Sequence, residues 1–392
     1  MRILVIHCAY LYKGGEDVVV QQEMNLLQQH GHEVELLQFK NEGRQLLKLL
    51  QLPFNLSSYL KTKKIVKSFK PDIAHIHNLH FAASPSVLFA LKHCNIPVVM
   101  TLHNYRILCP SATLYVEGEI FHQSLQQDFP VMAVKKGVYK NSKLITLWLA
   151  ICMALHRKLN TYHIPARMIC LTEHAKEIFK NSNLNLKRHQ LVVKPNFSTP
   201  PHQEIQPRGD HFLYVGRLTE EKGILLLLET FALSSITILI AGDGPLREEV
   251  ESYASKYSNI YYLGILDKSR INAAMQAATA LVFPSKWYEG MPLTIIESFA
   301  GRLPVIASNL GAMKSMIEDS YNGLHFEAGN KADFQKAIYR WANLPEHEKE
   351  EYRSNARTTY ERLYSPDKNL QHLLFIYRSA LEKAEAPAFS FV

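Results

Sequence analysis

The chain has 392 residues, of which 47% are hydrophobic, 20% charged and 10% aromatic, and its formal net charge is +8. This composition is typical of a globular protein and excludes a disordered or fibrous chain, while the length favours two domains of roughly 100–200 residues each. Residues 1–200 carry 24 Lys and Arg against 12 Asp and Glu, so the basic charge lies in the first half of the chain.

Short apolar runs alternate with helical patterns along the whole chain. The runs of the first half are residues 3–6, 34–39, 73–76, 97–102 and 168–172. Those of the second half are residues 212–215, 236–241, 260–263, 280–284 and 305–308. Strands that alternate with helices indicate βαβ units and parallel sheets, so the two series predict an α/β fold with two doubly wound, Rossmann-like domains.

The predicted boundaries follow from the proline content between the two series. Three prolines interrupt residues 196–210, which we interpret as a linker between an amino-terminal domain, residues 1–195, and a second domain, residues 211–365. Residues 366–392 are predicted to form a carboxy-terminal helix that packs back on the amino-terminal domain.

Three features bear on cellular location. The amino terminus resembles a first strand rather than a signal peptide, and the longest apolar run, residues 144–155, is too short to span a bilayer. Five cysteines without a Cys-x-x-Cys pair favour free thiols in a reducing compartment and exclude a zinc site. We therefore expect a cytoplasmic protein.

The lysine-rich segment of residues 61–70 leaves two interpretations open. Its five lysines could form a solvated helix face, or they could contact phospholipid or a lipid diphosphate. Nucleic acid is disfavoured because no nucleic-acid-binding motif accompanies the charge.

The segment of residues 283–308 carries the strongest chemical signal. Glu289 lies in a loop after a predicted strand, Pro292 can occupy the first turn of the following helix, and Glu297 lies more than a turn inside it. Free N–H groups around the segment Gly290–Leu293 would suit an anion or sugar hydroxyls. Both carboxylates could contact one ligand, although a capping Glu and a solvated Glu would give the same pattern.

Basic side chains and glycines follow other predicted strands. Arg217 and Lys222, in the segment 216–223, could neutralise a diphosphate, and we expect both side chains to be exposed. Glycine turns at Gly14 and Gly15 and at Gly242 and Gly244 would let a nucleotide approach the backbone, but such turns are common. His103 ends a first-half strand, where open α/β sheets bind ligands.

These motifs and their order along the chain resemble those of the retaining glycosyltransferases of family 4. Members of that family have the GT-B fold, in which two Rossmann-like domains face a central cleft. The resemblance rests on Glu289…Glu297 as the Glu-x7-Glu motif, on Gly216–Gly223, on Gly242–Pro245 and on the Gly14–Gly15 pair. It looks closest to bacterial members that assemble surface polysaccharides.

The resemblance implies a nucleotide-diphosphate sugar donor and a glycan or lipid-linked acceptor. Its implied catalytic residues are His103, Arg217, Lys222 and Glu289. Its implied donor-binding residues are Gly14, Gly15, Asn196, Gly216, Gly242, Gly244, Gly290, Met291, Pro292, Leu293 and Glu297. Since no Asp-x-Asp occurs, a metal-independent hexosyltransferase without cofactor is expected. The basic first half, the lysines of residues 61–70 and the apolar run 144–155 further suggest peripheral contact with anionic membrane on the cytoplasmic face of the inner membrane.

Other functions on the same fold remain open. They are a sugar-nucleotide epimerase, a phosphorylase and a non-catalytic scaffold that binds sugar nucleotides. A two-carboxylate glycosidase is disfavoured. A retaining glycosidase needs its carboxyl groups ~5–5.5 Å apart across the glycosidic bond, whereas here Glu289 is predicted in a loop and Glu297 in the helix that follows it.

Overall fold

The computed structural model describes residues 1–9, 14–41, 45–201 and 208–385. The chain forms two compact units. The first contains Met1–Val116, Phe121–Asn196 and Asn369–Val392, and the second contains Glu117–Ile120 and Phe197–Lys368. Residues 202–207 of the expected linker and residues 386–392 of the expected last helix lie outside the described residues.

The first unit contains a six-stranded parallel sheet. Its strands are β1 (Arg2–Ala9), β2 (Glu33–Lys40), β3 (Ile73–Ile76), β4 (Val98–Leu102), β7 (Arg167–Cys170) and β8 (Leu191–Val193), while β5 (Tyr115–Val116) and β6 (Glu119–Ile120) lie outside it. The helices are α1 (Gly15–Gln29), α2 (Gln45–Leu50), α3 (Leu56–Phe69), α4 (Ser86–His93), α5 (Val131–Lys136), α6 (Lys143–Lys158) and α7 (Glu173–Lys180).

The strand order in this sheet is β2-β1-β3-β4-β7-β8. The order reverses between β1 and β3, and the strands β3 and β4 are buried along their whole length. Strands buried on both faces of a parallel sheet are near-continuously apolar, which is why the sequence shows them as short apolar runs. Ligands of such sheets bind outside the carboxyl ends of the strands at the reversal.

The second unit repeats this architecture with another strand order. Its strands are β9 (Phe212–Val215), β10 (Ile238–Ala241), β11 (Ile260–Gly264), β12 (Ala280–Phe283), β13 (Val305–Ser308) and β14 (Gly323–Phe326). Its helices are α8 (Ile224–Phe231), α9 (Arg247–Lys256), α10 (Lys268–Ala277), α11 (Leu293–Ala300), α12 (Gly311–Met316), α13 (Lys331–Ala342) and α14 (Glu346–Leu363). The order β11-β10-β9-β12-β13-β14 reverses between β9 and β12.

The two parallel sheets confirm the predicted α/β fold class. The sequence did not predict the short edge strands β8 and β14, because β8 has only three residues and the apolar residues of β14 alternate with Gly323 and His325. The last helix, α15 (Pro366–Glu385), contributes most of its length to the first unit, where Tyr377 contacts the sheet through His75. Within the described residues, no helix is both long enough and apolar enough to cross a bilayer.

A buried ion pair lies at the centre of the first unit. The ammonium of Lys194, which follows β8, contacts Glu23 of α1 at 2.5 Å, and both side chains are almost fully buried. Burial alone would raise the pKa of Glu23, but the opposing effects, led by the charge of Lys194, outweigh it and hold the pKa below its ordinary value. The Glu23 carboxylate therefore favours its charged form beside Lys194 inside the core, where removing one partner of an ion pair is costly.

Three histidines surround this pair. His75 exchanges hydrogen bonds of 2.8 Å with the Tyr377 hydroxyl and with Thr101 Oγ1, and His77 Nε2 lies 3.5 Å from Glu23. His77 Nδ1 lies 3.0 Å from Nε2 of His103. Burial lowers the pKa of His75 and His77 well below the ordinary value and that of His103 to about 3, so all three rings are neutral at neutral pH.

Breaking the ion pair from one side should destabilise the protein strongly. Lys194→Met leaves the Glu23 carboxylate buried without its cation, which we expect to lower the free energy of unfolding by about 3–5 kcal/mol. The double variant Glu23→Gln with Lys194→Met should recover part of this loss. Urea denaturation measures both, and a loss below about 1 kcal/mol in the single variant contradicts a charged buried pair.

The histidines should make stability depend on pH. Below the unfolded-state pKa of about 6.5 the unfolded chain binds protons that the folded histidines reject, so stability falls as pH drops towards 3. Each neutral histidine contributes a slope of about 1.4 kcal/mol per pH unit. His77→Gln should make the slope between pH 6 and 4 shallower, whereas the exposed control His347→Gln should leave it unchanged. Equal slopes in all three proteins, measured by denaturation at each pH, would contradict this origin.

Candidate functional site

Three loops at the carboxyl edge of the second sheet carry most of the predicted site residues. Gly216, Arg217 and Lys222 follow β9, and Gly242 and Gly244 follow β10. The loop after β12 holds Glu289 and the start of α11. Because β9 and β12 flank the reversal of strand order, these loops meet where open α/β sheets bind their ligands.

Lys222 and Glu289 are brought together by the loops after β9 and β12. Lys222 Nζ donates to Glu289 Oε1 at 2.7 Å, and the exposed fractions of the two side chains are 17% and 8%. The expectation that Lys222 is exposed is therefore wrong. A carboxylate holds its ammonium group in place, and the rings of Phe283 and Trp287 lie within 5.6 Å of it.

Ser285 completes this arrangement, and the sequence analysis missed it. Its hydroxyl donates to Glu289 Oε1 at 2.7 Å, and the next residue ties the two loops because the Lys286 N–H donates to the Glu221 carbonyl at 2.8 Å. The available signal was its position two residues after β12, at the sheet edge that binds ligands. Glu289 thus accepts from both an ammonium and a hydroxyl.

Arg217 lies at the same edge and is exposed, as expected. A hydrogen bond from the core holds its backbone, since the hydroxyl of the buried Tyr214 donates to the Arg217 carbonyl at 2.7 Å. Within the described ranges no carboxylate forms an ion pair with its guanidinium. This side chain is therefore available to an anion from solvent.

Close packing of the backbone explains why glycine is required at positions 242 and 244 after β10, a reason that the sequence did not reveal. A Cβ on Gly242 would lie 1.8 Å from the carbonyl oxygen of Gly216, and one on Gly244 would lie 2.6 Å from that of Leu218. Both glycines also have positive φ angles. They let the loops after β9 and β10 pack against each other, so approach of a nucleotide is not needed to explain them.

The start of α11 differs from the prediction in one detail. The helix begins at Leu293, and Pro292 is its extended N-cap residue rather than part of the first turn. Met291 is buried, whereas Gly290 is half-buried. Glu297, in the second turn, forms an ion pair with Lys268 of α10. Glu289 and Glu297 therefore have different cationic partners.

The remaining predicted residues belong to the first unit. Gly14 is the N-cap of α1, Gly15 is its first residue, and Asn196 is buried at the end of this unit. The Gly14 N–H donates to the Asp17 carboxylate, which also contacts His7 of β1 at 2.8 Å. Residues 10–13, between β1 and Gly14, lie outside the described part of the chain.

His103 follows β4 and lines a pocket of about 100 Å³. His77 also lines this pocket, and α6 contributes Leu149 and Met153 to its lining. The sequence analysis missed His7, His75 and His77. The signal was that β1, β3 and β4 each carry histidine at or near the carboxyl end, where parallel strands place their side chains together.

One group of side chains in the described residues has the spacing of a metal site. The ligand atoms of Glu23, His75 and His77 lie within 4.8 Å of one another. The ammonium of Lys194 already supplies a positive charge to the Glu23 carboxylate at 2.5 Å. A divalent cation there would be repelled by Lys194, so these residues do not fit a metal centre.

Comparison with known proteins assigns this chain to a family. The family model described as glycosyltransferase family 4 matches residues 13–197, and that described as glycosyl transferases group 1 matches residues 199–359. The chain spans about half the length of the first curated relatives it matches.

Two Escherichia coli proteins are among the similar sequences. O-antigen chain mannosyltransferase C is 28% identical over 180 residues, which are 44% of this chain and 48% of the relative. UDP-Gal:alpha-D-GlcNAc-diphosphoundecaprenol alpha-1,3-galactosyltransferase is 23% identical over 301 residues, 73% of this chain and 70% of the relative.

A solved structure shows the same fold. Anabaena HepE in complex with UDP superimposes with a TM-score of 0.66 at 16% identity, over 97% of this chain and all of that one. The two family models together cover nearly the whole length of both units. The chain belongs to glycosyltransferase family 4, with the GT-B fold.

Proposed function

We propose that this protein transfers a hexosyl group, with retention of anomeric configuration, from a nucleotide-diphosphate sugar to a glycan or lipid-linked acceptor. The observation that carries the proposal is the pairing of Lys222 with Glu289 beside the exposed Arg217, at the reversal of strand order in the second sheet. Fixed cations and a sheltered carboxylate at this edge are what a sugar diphosphate requires.

The cations act on the leaving group. Breaking the bond between sugar and phosphate places negative charge on the departing diphosphate, and preorganised positive charge lowers that barrier. Lys222 is held by Glu289 and the aromatic rings before the donor binds, so little reorganisation is needed. Arg217 presents a fork of donors to phosphate oxygens. These side chains supply the charge that a metal would supply elsewhere, and the proposed reaction needs neither metal nor cofactor.

The other residues contact the donor and the transferred sugar. Glu297 binds the ribose hydroxyls, Glu289 binds hydroxyls of the sugar, and the backbone N–H groups of Gly290, Met291 and Leu293 donate hydrogen bonds to oxygens of the donor. His103, kept neutral by burial, donates or accepts a hydrogen bond at the sugar without adding charge. The acceptor hydroxyl attacks the face that the diphosphate leaves and gives its proton to the departing phosphate oxygen.

The biological setting is proposed from the similar proteins. The names of the two Escherichia coli relatives refer to O-antigen and to a lipid diphosphate acceptor. We infer a role in assembly of a cell-surface polysaccharide, with the reaction in the cytoplasm. The five free cysteines support a reducing compartment.

Removing either cation should slow turnover. Arg217→Ala and Lys222→Ala are each expected to lower kcat by about 100-fold or more, the scale for losing a fixed charge at a developing anion. The control Lys256→Ala removes an exposed cation from α9 and should leave kcat unchanged. Steady-state assays with donor and acceptor measure this effect.

The same assays distinguish chemistry from folding. Lys222→Ala also removes the partner of a buried carboxylate, so each variant is compared below its own melting temperature. Near-wild-type turnover in both variants contradicts the leaving-group role. Absence of donor hydrolysis and of transfer in the wild type would favour a non-catalytic scaffold.

The two glutamates should separate binding from catalysis. Glu297→Ala is expected to weaken UDP or GDP binding about tenfold or more, because ribose contacts exist in ground and transition states alike. Glu289→Ala should lower turnover more than nucleotide affinity. Titration calorimetry with free nucleotide provides the comparison.

Lys268→Ala is the matched control for Glu297. It breaks the same ion pair but keeps the carboxylate, so nucleotide affinity should stay close to that of the wild type. If Lys268→Ala weakens binding as much as Glu297→Ala, the carboxylate acts through the ion pair. Equal losses of affinity in the two glutamate variants would contradict the division between them.

A further inference from the structure

One helix of the first unit exposes apolar side chains where a surface helix is normally polar. On α6 the positions facing outward are 144, 147, 151 and 155, which follow helical spacing and hold Leu144, Leu147, Ile151 and Leu155. Their exposed fractions range from 37% at Leu147 to 80% at Leu144. A surface helix of a globular protein presents charged or polar residues on this face.

The opposite face of α6 accounts for core packing by itself. Thr146, Leu149, Ala150, Cys152 and Met153 are buried. The buried face explains one stripe of the helix, and the exposed stripe needs a separate explanation.

A second helix extends the exposed apolar area. Trp148 Nε1–H of α6 donates to the Leu49 carbonyl of α2 at 2.7 Å, and Leu49, Trp148 and Leu149 pack in one cluster. The outward side chains of α2 are again leucines: Leu46, Leu47 and Leu50. We name the exposed residues of α2 and α6 together the apolar face. Contiguous exposed apolar areas of this kind mark interaction sites.

Further exposed apolar side chains lie beyond α2. The ring of Phe54 lies 6.3 Å from that of Phe89 in a tilted arrangement, and Phe89 lies 6.4 Å from the buried His156 near the end of α6. Phe54 is followed by the exposed Leu56 and Leu60 at the start of α3. The exposed apolar side chains thus extend along the chain from α2 to the start of α3, the helix that carries four of the exposed lysines.

The charge around the apolar face has a single sign. Residues 45–71 contain six Lys and no Asp or Glu, and residues 129–172 contain seven Lys and Arg and no Asp or Glu. The lysines on α3 and around the ends of α6 are exposed: Lys61, Lys63, Lys64, Lys67, Lys135, Lys136, Lys140, Lys143 and Lys158. The carboxylates that immediately adjoin these segments in the sequence are Asp72, Asp128 and Glu173, and the charge of Asp128 acts on Arg157. Such a rim is complementary to an anionic surface.

We propose that the apolar face and its lysine rim dock the first unit on a bilayer that contains anionic lipid. Apolar side chains enter the boundary between headgroups and acyl chains, and the lysines lie at the headgroups, as in amphipathic helices that rest on membranes. A soluble protein partner would not need a rim of one charge around leucines. This surface lies outside the donor-binding loops, and the proposal goes beyond the transfer reaction.

Docking would also bring the pocket beside His103 close to the lipid. Leu149, Cys152 and Met153 on the buried face of α6 line that pocket, together with His77 and His103. The helix that contacts lipid is thus also the wall of the pocket. An acceptor carried on a lipid would then reach His103 without leaving the membrane surface.

Co-sedimentation with vesicles tests the docking surface. The full chain is mixed with vesicles of phosphatidylcholine alone or with about 30% phosphatidylglycerol, at low and high salt. Wild type should bind the anionic vesicles at least about tenfold more strongly than neutral ones, and less at high salt. Leu144→Glu with Ile151→Glu should lower binding about tenfold or more, because charges replace apolar contacts.

Matched controls separate the surface from general effects. Leu233→Glu with Ile265→Glu makes the same change at exposed apolar positions of the second unit and should leave vesicle binding unchanged. Lys143→Glu with Lys158→Glu tests the rim without touching the leucines, and binding should again fall about tenfold or more. Thermal unfolding identifies any variant that fails to fold.

Three outcomes would overturn the proposal. The first is wild type that ignores anionic vesicles at low salt, and the second is equal loss of binding in the control pair. The third is a wild-type protein that forms a concentration-dependent dimer and does not bind vesicles, while the variant Leu144→Glu with Ile151→Glu is monomeric. Donor hydrolysis without vesicles should stay unchanged in every docking variant, so failure of the proposed transfer would be seen independently of failure to dock.

Discussion

The order of parallel strands is the constraint on which the rest of this structure depends. In each sheet the order reverses next to the unit's first strand, between β1 and β3 in the first unit and between β9 and β12 in the second. Helices leave a reversal in opposite directions, so the loops that follow the two strands open a crevice at the carboxyl edge. His77, His103, Lys222 and Glu289 all lie in or next to such loops.

Within this constraint the two units use charge in different ways. The first unit buries a full ion pair, Glu23 with Lys194, and surrounds it with neutral histidines. Such a pair contributes little net stability over apolar packing, but it is costly to break from one side. The second unit keeps Lys222 partly exposed beside Glu289 and leaves Arg217 in solvent. Accessible cations can meet the proposed donor, whereas Lys194 contacts groups of the core.

Close packing of loops makes the second arrangement rigid. Gly242 and Gly244 allow the loops after β9 and β10 to touch backbone to backbone. Ser285 and Lys286 both donate to the carbonyl of Glu221, which ties the loop after β12 to the residue beside Lys222. Rigid placement of charge before a ligand arrives is what electrostatic catalysis requires. The glycines therefore support the site through the protein's own packing, whichever ligand occupies it.

The sequence by itself determined the fold class, because alternating apolar runs and helical patterns are local and both sheets are buried. It also identified Arg217, Lys222, Glu289 and Glu297 as candidates, since motif spacing and position after a strand are local features. Only the tertiary structure decided which charged side chains form ion pairs with each other. Lys222 and Glu289 are 67 residues apart, and Glu23 and Lys194 are 171 apart. The same holds for α6, whose sequence is apolar almost all round, so its periodicity cannot say which face is buried. That depends on which side packs against Leu49 and Leu52, and this contact exists only in the folded chain.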